Sequence, residues 1–193
     1  QFSNRVLPVR QRLPWTFGAL PGACRRAHLD LFHGTSNFEL PAFAGCPLVV
    51  TVHDLIPLRC PGAVSRRYRL LFRVLIGRAV RAARRVITVS EFTRRELIER
   101  HPGAAGRITV IPNGVDPAFR LAADPEADRR VRERHGLAGR YLLFVGVFEP
   151  RKNVPLLVDA FEILRHTRPD ASDLQLALAG GAIKQLPEFT RTR

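Results

Sequence analysis

The chain has 193 residues, 46% hydrophobic and 25% charged, enough for one domain or two small ones, and no apolar run reaches the roughly 18 residues that a membrane-spanning helix needs. Lys and Arg number 31 against 17 Asp and Glu, a net charge of +14 that favours anionic partners: nucleic acid, anionic lipid or a phosphorylated substrate. Cys24, Cys46 and Cys60 are odd in number, with no C-x-x-C and no histidine at ligand spacing, which indicates neither a disulfide framework nor a zinc site and suits a reducing compartment.

Strands and helices alternate along the chain. Short apolar runs at 29–34 and 47–54 read as strands, and 65–83 as a long helix. A strand follows at 84–90, a helix at 90–101 and a strand at 107–115 that ends in the turn Asn113-Gly114. The pattern resumes with a helix at 124–137, a strand at 140–147, a helix at 154–167 and a strand at 173–181. Short runs apolar on both faces are those of parallel strands covered by helices, so the fold class is α/β with doubly wound parallel sheets. A hinge between two α/β units is placed near Pro112–Ala123, dividing a first domain, 1–117, from the hinge and start of a second, 118–193. With Gln1 first, no methionine anywhere and little periodicity after Gly181, the chain is expected to be a fragment that lacks its true start and stops inside its second domain.

In open parallel sheets ligands lie beyond the carboxyl ends of the strands, so those positions carry the candidate site. His33 ends the first run, His53-Asp54 the second and Ser90-Glu91 the third; Gly146 through Asn153 follow the strand at 140–147. A histidine at a strand end can donate to a sugar hydroxyl or meet charge developing at a reacting carbon. Asp54 could orient His53 or cap the following loop, and Ser90 with Thr93 or Glu91 reads first as a helix cap. In "GVFEPRKNVP" a glycine after the strand admits a ligand to the backbone, Arg151 can fork onto phosphate oxygens, Lys152 adds a compact charge, and the next helix offers its amino end. A loop with two solvated cations is the plain alternative. No G-x-G-x-x-G, P-loop or G-x-S-x-G occurs, and no Asp-x-Asp pair offers a metal-held diphosphate site.

The helix at 65–83 has its own signal. Tyr68, Leu71, Phe72, Leu75, Ala79 and Ala83 share one face, and Arg66, Arg67, Arg69, Arg73, Arg78, Arg81, Arg84 and Arg85 share the other half. Such a helix packs its apolar side on a sheet and can lay its basic side against anionic membrane.

Taken in order, "VVTVHDLIPL", "RRVITVSEFTRREL", "ITVIPNGVDPAF", "LLFVGVFEPRKNVPLLVDAF" and "LQLALAGG" resemble the family 4 glycosyltransferases, retaining sugar transferases of the GT-B fold; the resemblance covers Asp30 to Gly181. It implies two Rossmann-like domains, both incomplete here, one for the acceptor and one for a nucleotide-sugar donor. It implies that Arg151 and Lys152, with Gly146 and Asn153, hold the donor diphosphate and support its departure without a metal or other cofactor. His53 would face the transferred sugar, with His33, Asp54 and Ser90 on the acceptor side. The implied reaction moves a hexose, with mannose suggested, to a glycan or lipid-linked acceptor in the cytoplasm or at the inner face of the membrane.

Two departures from the family pattern stand out. Val147 occupies the place after the loop glycine where many relatives carry arginine, and the paired glutamates of an E-x7-E stretch would lie beyond Gly181. An inactive remnant that binds anionic membrane or polyanions through its arginines is the alternative reading. Nucleic acid is not expected, since aromatic interleaving and known motifs are lacking.

Overall fold

The structure, a computed structural model, describes residues 12–60, 62, 64–119 and 124–181. Residues 120–123 of the expected hinge and the tail after Gly181 lie outside the described residues. By its backbone packing the chain divides into two compact units between Val115 and Asp116.

The first unit is built on a four-stranded parallel sheet in the order β1 (Phe32–Gly34), β2 (Leu48–Val52), β3 (Arg85–Thr88) and β4 (Ile108–Val110). Register is continuous, with Val50 opposite both Gly34 and Val86 and Val52 opposite Thr88. The short helix α3 (Ile56–Arg59) leads to α4 (Arg66–Ala82), and α5 (Glu91–Arg100) joins β3 to β4. Since each crossover returns to a parallel neighbour, all four strands end at one edge.

The residues of α4 show why it forms where it does. Ser65 caps it by accepting the Tyr68 amide, and Ala83 ends it in extended conformation. Phe72, Leu75, Ile76, Ala79 and Val80 are buried against Val50, Val52 and Val86 of the sheet, and the Phe72 ring meets Phe38 edge-on at 5.6 Å. Each large apolar side chain so buried contributes about 1.5–3 kcal/mol.

The apolar face is rotated from the one read in the sequence. Tyr68 and Leu71 are 37% and 38% exposed, while Ile76 and Val80 take the buried positions, because the first two turns of α4 carry Tyr68 and Leu71 at the margin of the contact. Arg78 also departs from the basic face. Its guanidinium donates to the carbonyls of Leu40 and Pro41 at 3.0 and 2.9 Å and lies over the Phe17 ring, and burial draws its pKa down.

Residues 12–26 form helical structure that the sequence reading passed over: α1 (Arg12–Pro14), a π-helical turn (Trp15–Ala19) and α2 (Leu20–Arg26). Pro14, Gly18, Pro21 and Gly22 disguise it, yet prolines are tolerated in first turns, and Leu20 and Cys24 pack with Ala44, Trp15 and Cys46. The strand expected over 107–115 is only Ile108–Val110: it pairs on one side alone, and Pro112 has no amide to extend the ladder beyond the bond from Ile111 to the Thr88 carbonyl.

His101 follows α5 and carries a pH signature. Burial, reinforced by Arg81 and Arg100, holds its imidazole below the ordinary range. The unfolded chain therefore takes up this proton at a higher pH than the folded one, so the stability present above a pKa of about 6.5 falls as the pH drops toward the depressed folded value. Thermal unfolding is expected to show a larger loss between about pH 7.5 and about pH 5.5 for the parent than for His101→Gln. Equal losses would acquit His101.

In the second unit, α6 (Pro125–Arg134) is capped by the Asp124 carboxylate, which accepts the Ala127 amide at 3.0 Å, and leads to β5 (Tyr141–Val145). A right-twisting parallel pair is completed by α7 (Val154–Thr167) and β6 (Gln175–Ala179). Strands apolar on both faces were expected to be covered on both, and this holds less well here: Leu142, Leu143 and Val145 are 44%, 57% and 72% exposed, because one crossover helix covers one face of a two-stranded sheet. Among the described residues no helix is long and apolar enough to cross a membrane. Cys24, Cys46 and Cys60 are free thiols.

Candidate functional site

Two strand-end clusters carry the candidate residues, one in each unit. In the first, two separate segments converge on His53, the residue after β2. Its amide donates to the Asn37 Oδ1 at 2.9 Å, and its ring Nε2–H donates to the Thr35 carbonyl at 2.8 Å. Thr93, in the first turn of α5, donates its hydroxyl to the His53 carbonyl at 3.2 Å. Donation from Nε2 makes Nδ1 the acceptor of the neutral ring. The side chain is exposed at the edge where all four strands end.

The loop that receives His53 is shaped by its own sequence. Asn37 adopts φ 47°, a left-handed conformation that asparagine tolerates. Gly34 precedes it because a Cβ there would stand 2.6 Å from the Glu39 carbonyl oxygen and 2.8 Å from Leu40 Cδ2.

His33 lies within β1 and binds through Nε2 to the Thr51 hydroxyl at 2.8 Å, so its ring is fastened to the neighbouring strand. Asp54 accepts the Ile56 amide at 3.0 Å, a local turn that leads into α3; of its two expected roles this matches the fixing of the following loop. Ser90 accepts the Thr93 amide at 3.1 Å and lies 3.0 Å from the Thr93 hydroxyl, so it caps α5. Because the Thr93 proton goes to the His53 carbonyl, Ser90 is the donor to Thr93, and cap and histidine form one chain of hydrogen bonds. Glu91, the other capping candidate, pairs with Arg94 at 3.3 Å instead.

The second cluster lies beyond β5 and β6. Gly146 donates to the Ala179 carbonyl at 2.9 Å and Phe148 to that of Gly181 at 3.0 Å, so the two exit loops run against each other, backbone to backbone. Gly180 has φ 154°, and a Cβ on it would lie 1.8 Å from the Gly146 carbonyl oxygen; only glycine fits.

From Gly146 the chain passes through Glu149 into a 3-10 turn, Pro150–Lys152, then Asn153 in the left-handed region at φ 48°, ψ 45°, before α7 begins at Val154. Arg151 forms an ion pair with the Glu149 carboxylate. Lys152 is exposed, and no salt bridge to it occurs among the described residues. Asn153 makes no side-chain cap; Pro155 has no amide and the Leu157 amide bonds to the Asn153 carbonyl, so the first-turn amides of Val154 and Leu156 are left at the positive dipole end of α7. A glycine turn, two cations and an open helix start in sequence form a surface suited to an anion with several oxygens.

Sequence reasoning singled out Gly146, Arg151, Lys152 and Asn153, and the structure brings them onto one loop. It missed Glu149, although an acidic residue two before an arginine is a visible signal. For the polar loop of Thr35 and Asn37 it left plain connection as an equal alternative; only tertiary structure shows that they hold His53. Among the described residues there is no group of three His, Cys, Asp or Glu able to hold a metal ion. A cavity of about 960 Å³ lies between α7 and β6, lined by Phe148, Phe161, Leu176 and Gly180, and includes neither Arg151 nor Lys152.

Residues 2–119, more than half of the chain, match the sequence model of Glycosyltransferase Family 4. The chain is similar to the D-inositol 3-phosphate glycosyltransferase of Kineococcus radiotolerans, with 30% identity over 89% of this chain and 42% of that protein. It is also similar to the GDP-mannose-dependent alpha-(1-6)-phosphatidylinositol monomannoside mannosyltransferase of Mycolicibacterium smegmatis, with 36% identity over 50% of this chain and 24% of the relative. Among solved structures, Anabaena Alr3699/HepE in complex with UDP and glucose superposes with a TM-score of 0.63 at 23% identity, covering 92% of this chain and 47% of that one. This likeness shows the GT-B fold expected from the sequence. The chain thus spans less than half the length of these relatives.

Proposed function

Because the chain belongs to glycosyltransferase family 4, we propose that it is the acceptor-side unit and the start of the donor-side unit of a retaining hexosyltransferase. In this reading residues 1–117 serve the acceptor and 118–193 begin the nucleotide-sugar domain. The observation that carries the proposal is the loop after β5: Gly146, Arg151, Lys152 and Asn153 set two cations before the open amino end of α7.

The chemistry follows from charge. When a sugar carbon leaves a nucleoside diphosphate, positive character grows on the sugar and negative charge on the departing phosphate. Fixed cations at that phosphate are worth several kcal/mol in the transition state. The two cations and the amino end of α7 meet the diphosphate, and the proposed mechanism uses neither metal nor cofactor. Attack comes from the face the diphosphate leaves, and that phosphate takes the acceptor's proton. His53 faces the sugar, held in position by Thr35, Asn37 and Thr93.

The names of the relatives support a nucleotide-sugar donor and favour mannose as the sugar and a glycan or a lipid-linked inositol as the acceptor. We place the protein in the cytoplasm. Peripheral contact with anionic membrane is the second reading, favoured by Leu70 and Val74, 54% and 56% exposed among the arginines of α4.

Titration with nucleoside diphosphates and the matching monophosphates tests the proposal: diphosphates are expected to bind markedly tighter, and equal affinity would defeat it. His53→Ala is expected to slow nucleoside diphosphate release from the sugar donor about a hundredfold while leaving diphosphate affinity unchanged. An unaltered rate would remove His53 from the reaction.

A further inference from the structure

We propose that Asn113-Gly114, beside the junction of the two units, is a site of spontaneous modification, at which the chain turns Asn113 into aspartate and isoaspartate without an enzyme. The reaction requires the backbone nitrogen of the next residue to reach the side-chain carbonyl carbon of the asparagine. Three features decide whether it can. The first is the residue that follows. A Cβ there crowds the attack and narrows the backbone torsions, and glycine imposes neither restriction. Of Asn4, Asn37, Asn113 and Asn153, only Asn113 precedes a glycine; Phe38 and Val154 follow Asn37 and Asn153. The second is engagement of the reacting groups. Asn37 Oδ1 accepts the His53 amide, which holds that side chain, and Asn153 leads directly into α7. Among the described residues neither the Asn113 side chain nor the Gly114 amide makes a hydrogen bond. The third is room. Residues 111–116 belong to no helix or strand, Asn113 and Gly114 are both exposed, and nothing lies within 4 Å of the place a Cβ on Gly114 would take.

The chemistry needs only the chain and water. The Gly114 nitrogen bonds to Cγ of Asn113, the Cγ–Nδ2 bond breaks, and Nδ2 leaves as ammonia with the proton that the Gly114 amide gives up. Water then opens the cyclic imide. Its hydroxyl adds to one of the imide carbonyl carbons, and the ring nitrogen takes the proton as the C–N bond breaks. Opening at Cγ leaves aspartate. Opening at the main-chain carbonyl leaves isoaspartate, whose backbone runs through the former side chain and is longer by one carbon. Either product sets a carboxylate just past β4, at the edge where the strands of the first unit end and His53 is exposed. The site is a slow, one-way clock on the segment that joins the units.

The test incubates the full chain near neutral pH at physiological temperature and samples it over days. Peptide mass spectrometry is expected to find a gain of about one dalton on the peptide that carries Asn113 and none on those that carry Asn37 or Asn153. An isoaspartyl methyltransferase with a labelled methyl donor is expected to mark that same peptide. Gly114→Ala should slow the gain about tenfold or more. Nothing contacts the added carbon, so an unchanged unfolding temperature is expected for this variant. The parent is also followed in urea. The folded chain should convert at a rate within about threefold of the unfolded one, because folding leaves the linkage exposed. No gain at Asn113, or an equal gain at the other asparagines, would overturn the site. So would protection of the folded chain by about tenfold or more relative to the unfolded one. Neither readout involves a nucleotide or a sugar, so the result is independent of the donor loop.

Discussion

Replacing Arg151 and Lys152 together by alanine is expected to reduce nucleoside diphosphate affinity by a factor of about 10² to 10⁴. Each residue offers charge-assisted hydrogen bonds worth about 1.5–3 kcal/mol, and every 1.4 kcal/mol or so is tenfold in affinity. The two single variants should differ. Arg151 neutralises the Glu149 carboxylate, so Arg151→Ala removes a cation and also exposes an anion beside the diphosphate. Lys152 has no such counterpart, and its loss should cost less. Glu149→Gln releases the guanidinium and should tighten binding. Calorimetric titration of all three, with unfolding temperature as control, checks the order; both cations are exposed, so the fold should be unaffected. Affinity unchanged in the double variant would end the donor-loop reading.

The second large effect falls on packing. Gly180→Ala would place a methyl group 1.8 Å from the Gly146 carbonyl oxygen, well inside van der Waals contact, and at a φ that side chains rarely adopt. Something must shift, and among the described residues the backbone of Gly146 is the nearest neighbour. We expect a loss of about 3 kcal/mol or more in the second unit. The amides of Gly146 and Phe148, which bond across to Ala179 and Gly181, should exchange with solvent much faster, while those of β2 in the first unit keep their protection. Gly181→Ala is the control, since nothing lies within 4 Å of the added carbon. Unchanged exchange in Gly180→Ala would contradict the close approach of the two loops.

Much of the fold was legible because its signals are local. The helix read over 65–83 is Arg66–Ala82, and the one read over 154–167 is Val154–Thr167. The strand positions follow from short apolar runs that alternate with these helices. What escaped depends on partners distant in sequence. The α1–α2 segment is full of proline and glycine and is helical because Leu20 and Cys24 find a pocket. Arg78 looks like one more surface arginine until two carbonyls thirty-seven and thirty-eight residues away claim it. The candidate residues were visible as residue types at strand ends, and the capping duty of Ser90 with them; that Thr35, Asn37 and Thr93 hold His53 was not, since only the assembled loops bring those partners together.

Asn153 shows how the donor loop keeps its aim. Its backbone curls in the mirror sense of its neighbours, and that single reversal turns the chain from the Pro150–Lys152 turn into α7. The reach of Lys152 is thus steered by a torsion in the following residue, while its charge merely supplies the attraction. Swapping one cation for another leaves this steering intact; a bulky branched side chain at 153 would re-aim the whole corner with every charge still present.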